Sequence, residues 1–403
     1  MAAREVRGVL VEPAANPRTT QHRARVLMFT SLFHPVIGGS EGQAQALAQA
    51  LIRRGHAVAV VTQKLPRLPS YEVVAGIAVY REIRPVGRRS IVYGISYALS
   101  SALALLRHRR QSQIIHVHHL YLDAFSAGLL GPIMRRPVIA KVACGGYVGD
   151  IARLKRTRLA GLLFAVTRRV DRIVAISSQI QGELINHSFA RERIIRIPNG
   201  VDTNRFRPAR DREAAKRVLG LQGKIVSFIG RLDPQKGLHH LLDAWSAVVA
   251  QRPDARLLLL GTGPQEAELM RLAEELRVSR SVDFLGYRED VRPYLQATDV
   301  FVLPSLAEGM SNVLLEAMAS GLACVATRIG GNTDLVEDDV NGVLVEPADG
   351  AGLANAILRL VQSDADAARL GVAARERVER ELSIEVIADR YVQLYRELLA
   401  AEG

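Results

Sequence analysis

Glu308 and Glu316 bracket the stretch Gly309-Met310-Ser311-Asn312-Val313-Leu314-Leu315. Ahead of them the apolar run Val300-Phe301-Val302-Leu303 stops at Pro304, which reads as a buried strand ending at a turn. From about Ser311 to Met318 the apolar residues Val313, Leu314 and Met318 recur with helical period, and the Ser311 hydroxyl can cap the first turn. Glu308 then sits in the loop before a helix and Glu316 in its second turn. The helix start between them offers unpaired N–H groups and a positive dipole end, which suits a phosphate. Two carboxylates beside an anion site would repel phosphate, so their chemistry is to accept hydrogen bonds from sugar hydroxyls. For an isolated helix start, two solvated glutamates are the commoner outcome. The rest of the chain must supply the context.

Arg231 and Lys236 lie in a loop between the apolar run Lys224 to Gly230 and a helix-period segment containing Leu238, Leu241, Leu242 and Trp245. A planar fork and a point charge in a strand-to-helix loop suit a diphosphate, although an exposed basic loop is the default for such a pair. Gly261-Thr262-Gly263-Pro264 closes another apolar strand as a close-approach turn. Near the start, Gly38-Gly39 follows the strand Arg25 to Thr30 and precedes a helix whose apolar face is Ala44, Leu47, Ala48 and Leu51. Gly55 stops that helix, and Ala57 to Thr62 is the next strand. The loop amides can hold phosphate oxygens, but no G-x-G-x-x-G occurs and no acidic residue follows the second strand, which excludes the dinucleotide fingerprint. His116 and His118 share one face of a strand. No further zinc ligands stand at a recognisable spacing, and the alternative is a strand-end histidine bonded into the core. The one Asp-x-Asp, Asp364-Ala365-Asp366, lies in a polar late segment and not after a strand, so no metal site is expected.

The elements that position these residues alternate strand, turn, helix and strand, the pattern of parallel α/β sheets, which bind ligands outside the carboxyl ends of their strands. A chain of 403 residues is long enough for two such domains. Two cysteines, Cys144 and Cys324, cannot build a disulfide framework; both are expected buried and inert in a reducing cytoplasm. No segment supplies the ~18 continuous apolar residues of a membrane span. The nearest, Ile91 to Leu106, is interrupted by Ser96, Ser100 and Ser101 and reads as an amphipathic helix. Residues 1–23 hold several arginines and prolines without an apolar core, so a flexible tail is expected and not a signal peptide.

Charge is unevenly spread. Residues 1–196 carry 29 Lys and Arg against 10 Asp and Glu, whereas the whole chain has a net charge of only +12. The second half is therefore acidic, which argues against an arginine-rich composition as the cause and for an anionic surface facing the first half. The segment 153–172, RLKRTRLAGLLFAVTRRVDR, reads as one helix with Leu159, Leu162, Leu163 and Val166 on the core and its arginines in water or on lipid headgroups. A nucleic-acid binder is the other reading of such charge, but no zinc-finger or aromatic RNA-binding motif appears and aromatics are only 5%.

In order along the chain these motifs resemble the retaining glycosyltransferases of family 4, which have the GT-B fold. Glu308 to Glu316 resembles the Glu-x7-Glu motif, and Gly230-Arg231 with Lys236-Gly237 resembles GR-x4-KG. Gly38-Gly39 is similar to the loop that opens the first domain, His116-Val117-His118 to a strand-ending His-x-His, and Asn199-Gly200-Val201-Asp202 to the linker. The resemblance spans about residues 25–400. It departs at Cys144-Gly145-Gly146, where many members carry a histidine before glycine, with Lys141 as a candidate substitute.

The resemblance implies an α/β, GT-B architecture of two Rossmann-like parallel-sheet domains facing across a cleft, residues 24–200 and 201–382. A C-terminal helix over 383–403, with Ile384, Ile387, Tyr391, Leu394, Tyr395 and Leu398 as its apolar face, would cross back to the first domain. It implies transfer of a sugar from a nucleotide diphosphate sugar with retention, no cofactor and no metal, and no nucleic-acid partner. Catalytic roles fall to Glu308, His118, Arg231 and Lys236. Donor contacts fall to Gly38, Gly39, Gly261, Gly263, Gly309, Met310, Ser311, Asn312 and Glu316. The acceptor would be a lipid-linked saccharide or glycolipid of cell-surface polysaccharide assembly, met by Lys141, Arg153, Lys155, Arg156 and Arg158. The expected location is cytoplasmic, with peripheral contact at the inner face of the membrane. The competing activity on the same fold is epimerisation or hydrolysis of the nucleotide sugar.

Overall fold

The structure is a computed structural model that describes residues 23–36, 38–87, 91–146 and 149–401. Apart from Arg23, the expected N-terminal tail lies outside the described residues. The chain divides into two compact units, Met1–Pro198 with Ile384–Gly403, and Asn199–Ser383.

The first unit is built on eight strands: β1 (Arg25–Phe29), β2 (Ala57–Gln63), β3 (Tyr71–Val74), β4 (Ile77–Ile83), β5 (Ile114–Val117), β6 (Val138–Val142), β7 (Arg172–Ala175) and β8 (Ile194–Arg196). Their order in the sheet is β3-β4-β2-β1-β5-β6-β7-β8. Every pairing is parallel except β3 with β4. The inner strands β1, β2, β5 and β6 are buried almost throughout, which is why they read as apolar runs without alternation. The chain steps from β1 to β2 on one side and later returns to β5 on the other. The β1/β5 junction is thus a switch point, where loops diverge and leave a crevice at the carboxyl edge.

The second unit has six parallel strands: β9 (Lys224–Ile229), β10 (Ala255–Leu260), β11 (Val282–Gly286), β12 (Val300–Leu303), β13 (Ala323–Thr327) and β14 (Val343–Val345). Their order is β11-β10-β9-β12-β13-β14, so the switch point falls between β9 and β12.

The C-terminal helix Ile384–Ala400 belongs to the first unit, and all six residues of its expected apolar face are buried. It packs on the helix Gly39–Arg53. Arg54 ties the two, donating to Asp389 Oδ1 at 2.6 Å, to the Glu385 carbonyl at 2.7 Å and to the Glu385 carboxylate. Arg53 donates to the other Glu385 oxygen at 2.6 Å. The Tyr395 hydroxyl reaches Nδ1 of the buried His116 at 2.8 Å, so this helix also orients a side chain at the end of β5.

Two expectations need correction, and one element was not expected. The 153–172 segment is not one helix; it forms Asp150–Lys155 and Ala160–Thr167 with a break between them. That break turns Leu159 and Leu162 outward, 60% and 53% exposed, and leaves Leu154, Leu163 and Val166 on the core. Cys144 is only half-buried because it lies on the loop beyond β6, whereas Cys324 lies inside β13, where burial pushes its thiol upward. The β3–β4 hairpin was not anticipated. Its turn, Ala75-Gly76, has positive φ at both residues, 48° and 83°, a conformation that matches the twist of the strands it joins.

Arg54→Ala leaves the Glu385 and Asp389 carboxylates without their main partner. It should cost about 1–2 kcal/mol of stability in urea unfolding, while Arg53→Ala, half-exposed and singly bonded, should cost less than about half of that.

Candidate active site

Two loops flank the second unit's switch point, and each carries one of the charge pairs found in the sequence. The loop after β9 runs through Arg231 to Gly237; the loop after β12 runs from Pro304 to Ser311. They are stitched together by backbone and amide bonds. Leu306 N donates to the Gln235 carbonyl at 2.7 Å, and Gln235 Nε2 donates to the Ala307 carbonyl at 2.8 Å. Gly237 sits at φ 64°, and a Cβ there would lie 2.3 Å from the Pro304 carbonyl oxygen. Only glycine permits that approach.

The stitching brings Lys236 to Glu308. Its Nζ lies 2.5 Å from Glu308 Oε1, and the same oxygen accepts from the Ser305 hydroxyl at 2.8 Å. Both side chains are mostly buried, 18% and 10% exposed. Arg231 is 75% exposed and only loosely paired with Asp233 at 3.5 Å. The cation beside the site is therefore held on a carboxylate, and the second cation stands in solvent.

Glycines bring further backbone close to this edge. A Cβ on Gly261 would meet the Gly230 carbonyl oxygen at 1.9 Å, and one on Gly263 would meet that of Leu232 at 2.2 Å. Gly331 packs on the Gly309 carbonyl in the same way, with a Cβ contact of 2.2 Å, so the turn after β13 leans on the loop after β12. Ser311 caps the helix Asn312–Ala319 as expected, its hydroxyl accepting from Leu314 N at 3.3 Å. Met310 Sδ accepts from Asn199 N at 3.3 Å, and Asn199 Nδ2 donates to Asn312 Oδ1 at 2.8 Å. Asn199 read in sequence only as part of a linker; here it pins the helix start.

Glu316 faces inward from this helix, and burial pushes its carboxyl up to about 7, against the opposing field of Arg205. It is a neutral or half-ionised acid, able both to donate and to accept. Arg205 was not singled out in the sequence and sits in a polar stretch with no motif signal. The Asp364 and Asp366 carboxylates are occupied elsewhere, on Lys224 and on Arg359 with Arg369.

In the first unit, Gly38 and His118 also flank a switch point, that of β1 and β5, and His118 N donates to the Phe29 carbonyl at 3.0 Å. Gly38 precedes the helix Gly39–Arg53, and the Glu41 carboxylate folds back over it. His118 is 1% exposed and stacks on His116 with ring centroids 4.5 Å apart. Burial, with His116 and Lys141 nearby, holds His118 well below the usual histidine range, so its ring is neutral. Lys141, expected on the acceptor side, is 5% exposed, and burial lowers its ammonium to about 8. Arg153, Lys155, Arg156 and Arg158 are all exposed. Of the expected site residues, the second unit thus gathers Arg231, Lys236, Gly261, Gly263 and Glu308–Asn312 on one sheet edge, with Glu316 one turn into the helix.

Sequence profiles cover both units. Residues 37–205 match the profile described as Glycosyltransferase Family 4, and residues 223–363 match Glycosyl transferases group 1. The chain is a family 4 glycosyltransferase. The enzyme is a retaining, nucleotide-sugar-dependent transferase with the GT-B fold. It is 28% identical over 372 residues to N-acetyl-alpha-D-glucosaminyl L-malate synthase of Bacillus anthracis, covering 91% of this chain and 96% of that one. It is 29% identical over 395 residues to phosphatidyl-myo-inositol mannosyltransferase of Mycobacterium tuberculosis, covering 94% and 98%. Among solved structures, Anabaena HepE in complex with UDP-glucose superimposes with a TM-score of 0.75 at 22% identity, over 94% of this chain and 100% of that one.

Glu316 gives a pH signature with a definite sign. Its carboxyl rises from 4.5 to about 7 on folding, so between those values the folded enzyme holds a proton that the unfolded chain has released. Stability should fall as pH rises through that window and level off above it, by on the order of 2–3 kcal/mol. Glu316→Gln should match the parent at pH 5 and exceed it at pH 8 in thermal unfolding; equal pH slopes would contradict the assignment.

Proposed function

We propose that the enzyme transfers a sugar from a nucleoside diphosphate sugar to a lipid-linked saccharide or glycolipid. The observation that carries the donor side is the contact of Lys236 with Glu308 across the β9/β12 switch point. A diphosphate entering this edge offers Lys236 a stronger anionic partner than one carboxylate. Moving Lys236 onto phosphate frees Glu308 to accept from sugar hydroxyls. Arg231, exposed and weakly paired, adds a second cation where charge develops on the leaving group, the place where preorganised electrostatics act most strongly on rate. The amides of Gly309 to Asn312, at the start of the helix, face the same anion. Glu316, a turn further on, suits ribose hydroxyls. Gly261 and Gly263 let the backbone approach the nucleotide. His118 and the Gly38–Gly39 loop mark the ligand-binding edge of the first unit, His118 as a neutral hydrogen-bonding group. HepE's complex with UDP-glucose supports a uridine donor.

For the acceptor, the two relatives point in different directions, one named for malate and one for phosphatidyl-myo-inositol. The cationic first half supports the lipid class, because anionic headgroups reward surface Arg and Lys. Its exposed Arg153, Lys155, Arg156 and Arg158 are the candidates for that contact.

A melting-temperature screen should find at least one nucleoside diphosphate sugar that stabilises the enzyme. Label from that sugar should pass into the organic-extractable fraction of bacterial membranes with its anomeric configuration kept. Glu308→Ala and Lys236→Ala should each lower that turnover by about a hundredfold or more. Release of the sugar only to water, or near-parental rates in folded variants, would contradict the reading.

A further inference from the structure

The helix Ile91–His108 is turned so that its aliphatic residues face outward. Ile91, Val92, Ile95, Leu99 and Leu103 are each between 56% and 65% exposed, whereas Tyr97, Ser101, Ala104, Leu105 and His108 are buried. Polar bonds enforce this orientation. The Ser96 and Ser100 hydroxyls accept from the backbone N–H of Val86 and Arg84, at 2.8 and 3.1 Å. Tyr97 donates to the buried Asp123, and Tyr93 accepts from Gln63 Nε2 at 2.9 Å. The inner face is committed to hydrogen bonds, so the apolar stripe, ~18 Å long at helical rise, has nowhere to go but out.

The stripe does not stand alone. The helix Leu122–Met134 packs between this helix and Ala160–Thr167, and both neighbours add exposed apolar side chains: Leu129 and Ile133 from the first, Leu162 from the second. Exposed apolar area on this scale marks an interaction surface. The charge around it selects the partner. From Arg84 to Val170 the sequence has fifteen Lys and Arg, and its only carboxylates are Asp123 and Asp150. Both carboxylates are buried, at 1% and 2% exposure, so among the described residues the span presents no acidic side chain of its own to solvent. Glu82, just outside the span, is ion-paired with Arg107 at 2.9 Å. Among the described residues no helix is long and apolar enough to cross a membrane.

We propose that this three-helix face docks on an anionic lipid bilayer, with the Ile91–Leu103 stripe entering the acyl boundary and exposed arginines of the same span on headgroups. Exposed aliphatic side chains on a span whose exposed charges are cationic fit the interface of an anionic leaflet, and nucleic acid would leave the stripe unused. The proposal rests on the lipid-acceptor reading for its purpose but is tested apart from it. It also assigns the main apolar contact to a helix other than the 153–172 segment.

The test is co-sedimentation with vesicles of phosphatidylcholine, with and without phosphatidylglycerol, for the parent and for Ile95→Asp/Leu99→Asp. A cooperative thermal unfolding transition at the parent's temperature confirms that the variant is folded. The parent should bind the anionic vesicles, and the variant should bind at least about tenfold more weakly with its thermal unfolding unchanged. Equal binding by both proteins, or none by the parent, would overturn the proposal. So would a parent that is dimeric in solution and becomes monomeric in the variant, since a second copy would then cover the stripe. Transfer to a lipid-linked saccharide in detergent is scored separately. Vesicle binding without transfer supports docking and removes the acceptor reading; transfer without vesicle binding does the reverse.

Discussion

Lys236 can reach Glu308 only because the loops after β9 and β12 are sewn to each other. Three features do the sewing: the Leu306 N–H, the Gln235 amide and the tight approach at Gly237. All three lie where the order of this sheet reverses, at the junction where a crevice is built into the topology. A cation and a carboxylate held there in a largely buried pair are each other's counter-ion. An unpaired buried charge costs several kcal/mol, so a resting partner for Lys236 is a structural need as well as a chemical convenience.

The first unit repeats the same plan with different chemistry. Its switch-point histidine is neutral and stacked, and the ring beneath it is fixed by Tyr395 from the end of the chain. The C-terminal helix is thus more than a buttress. It supplies a hydroxyl to His116 at the end of β5, and Arg53 and Arg54 bind its first turns to the opening strand–loop–helix unit.

Strand–turn–helix units were legible in the sequence because each buried strand is an apolar run closed by glycine or proline, and because Ser311, Gly55 and Gly321 mark helix ends with local chemistry. Glu308, Glu316, Arg231 and Lys236 were legible as residues, and their assembly on one edge followed from that plan. What stayed hidden depends on tertiary partners. Nothing local says that Lys236 rests on Glu308, that Glu41 covers Gly38, or that Lys141 is buried. Helix orientation was the hardest part. Ile91–His108 has helical period, but its polar side chains are bonded inward, and only the positions of Arg84 N and Val86 N reveal which face turns out. The same ambiguity placed Leu159 and Leu162 on the core until the break between the two short helices turned them to solvent.

A double-substitution cycle on affinity for the nucleoside diphosphate sugar that raises the melting temperature tests the resting pair most directly. Calorimetry on the parent, Lys236→Met, Glu308→Gln and the double variant separates the coupling between the two side chains from their separate contacts with the donor. If the donor must draw Lys236 away from Glu308, the two losses are non-additive by at least about tenfold in Kd. Losses that add within about twofold would mean that the two residues meet the donor independently, and the account of the site built on their contact would be wrong.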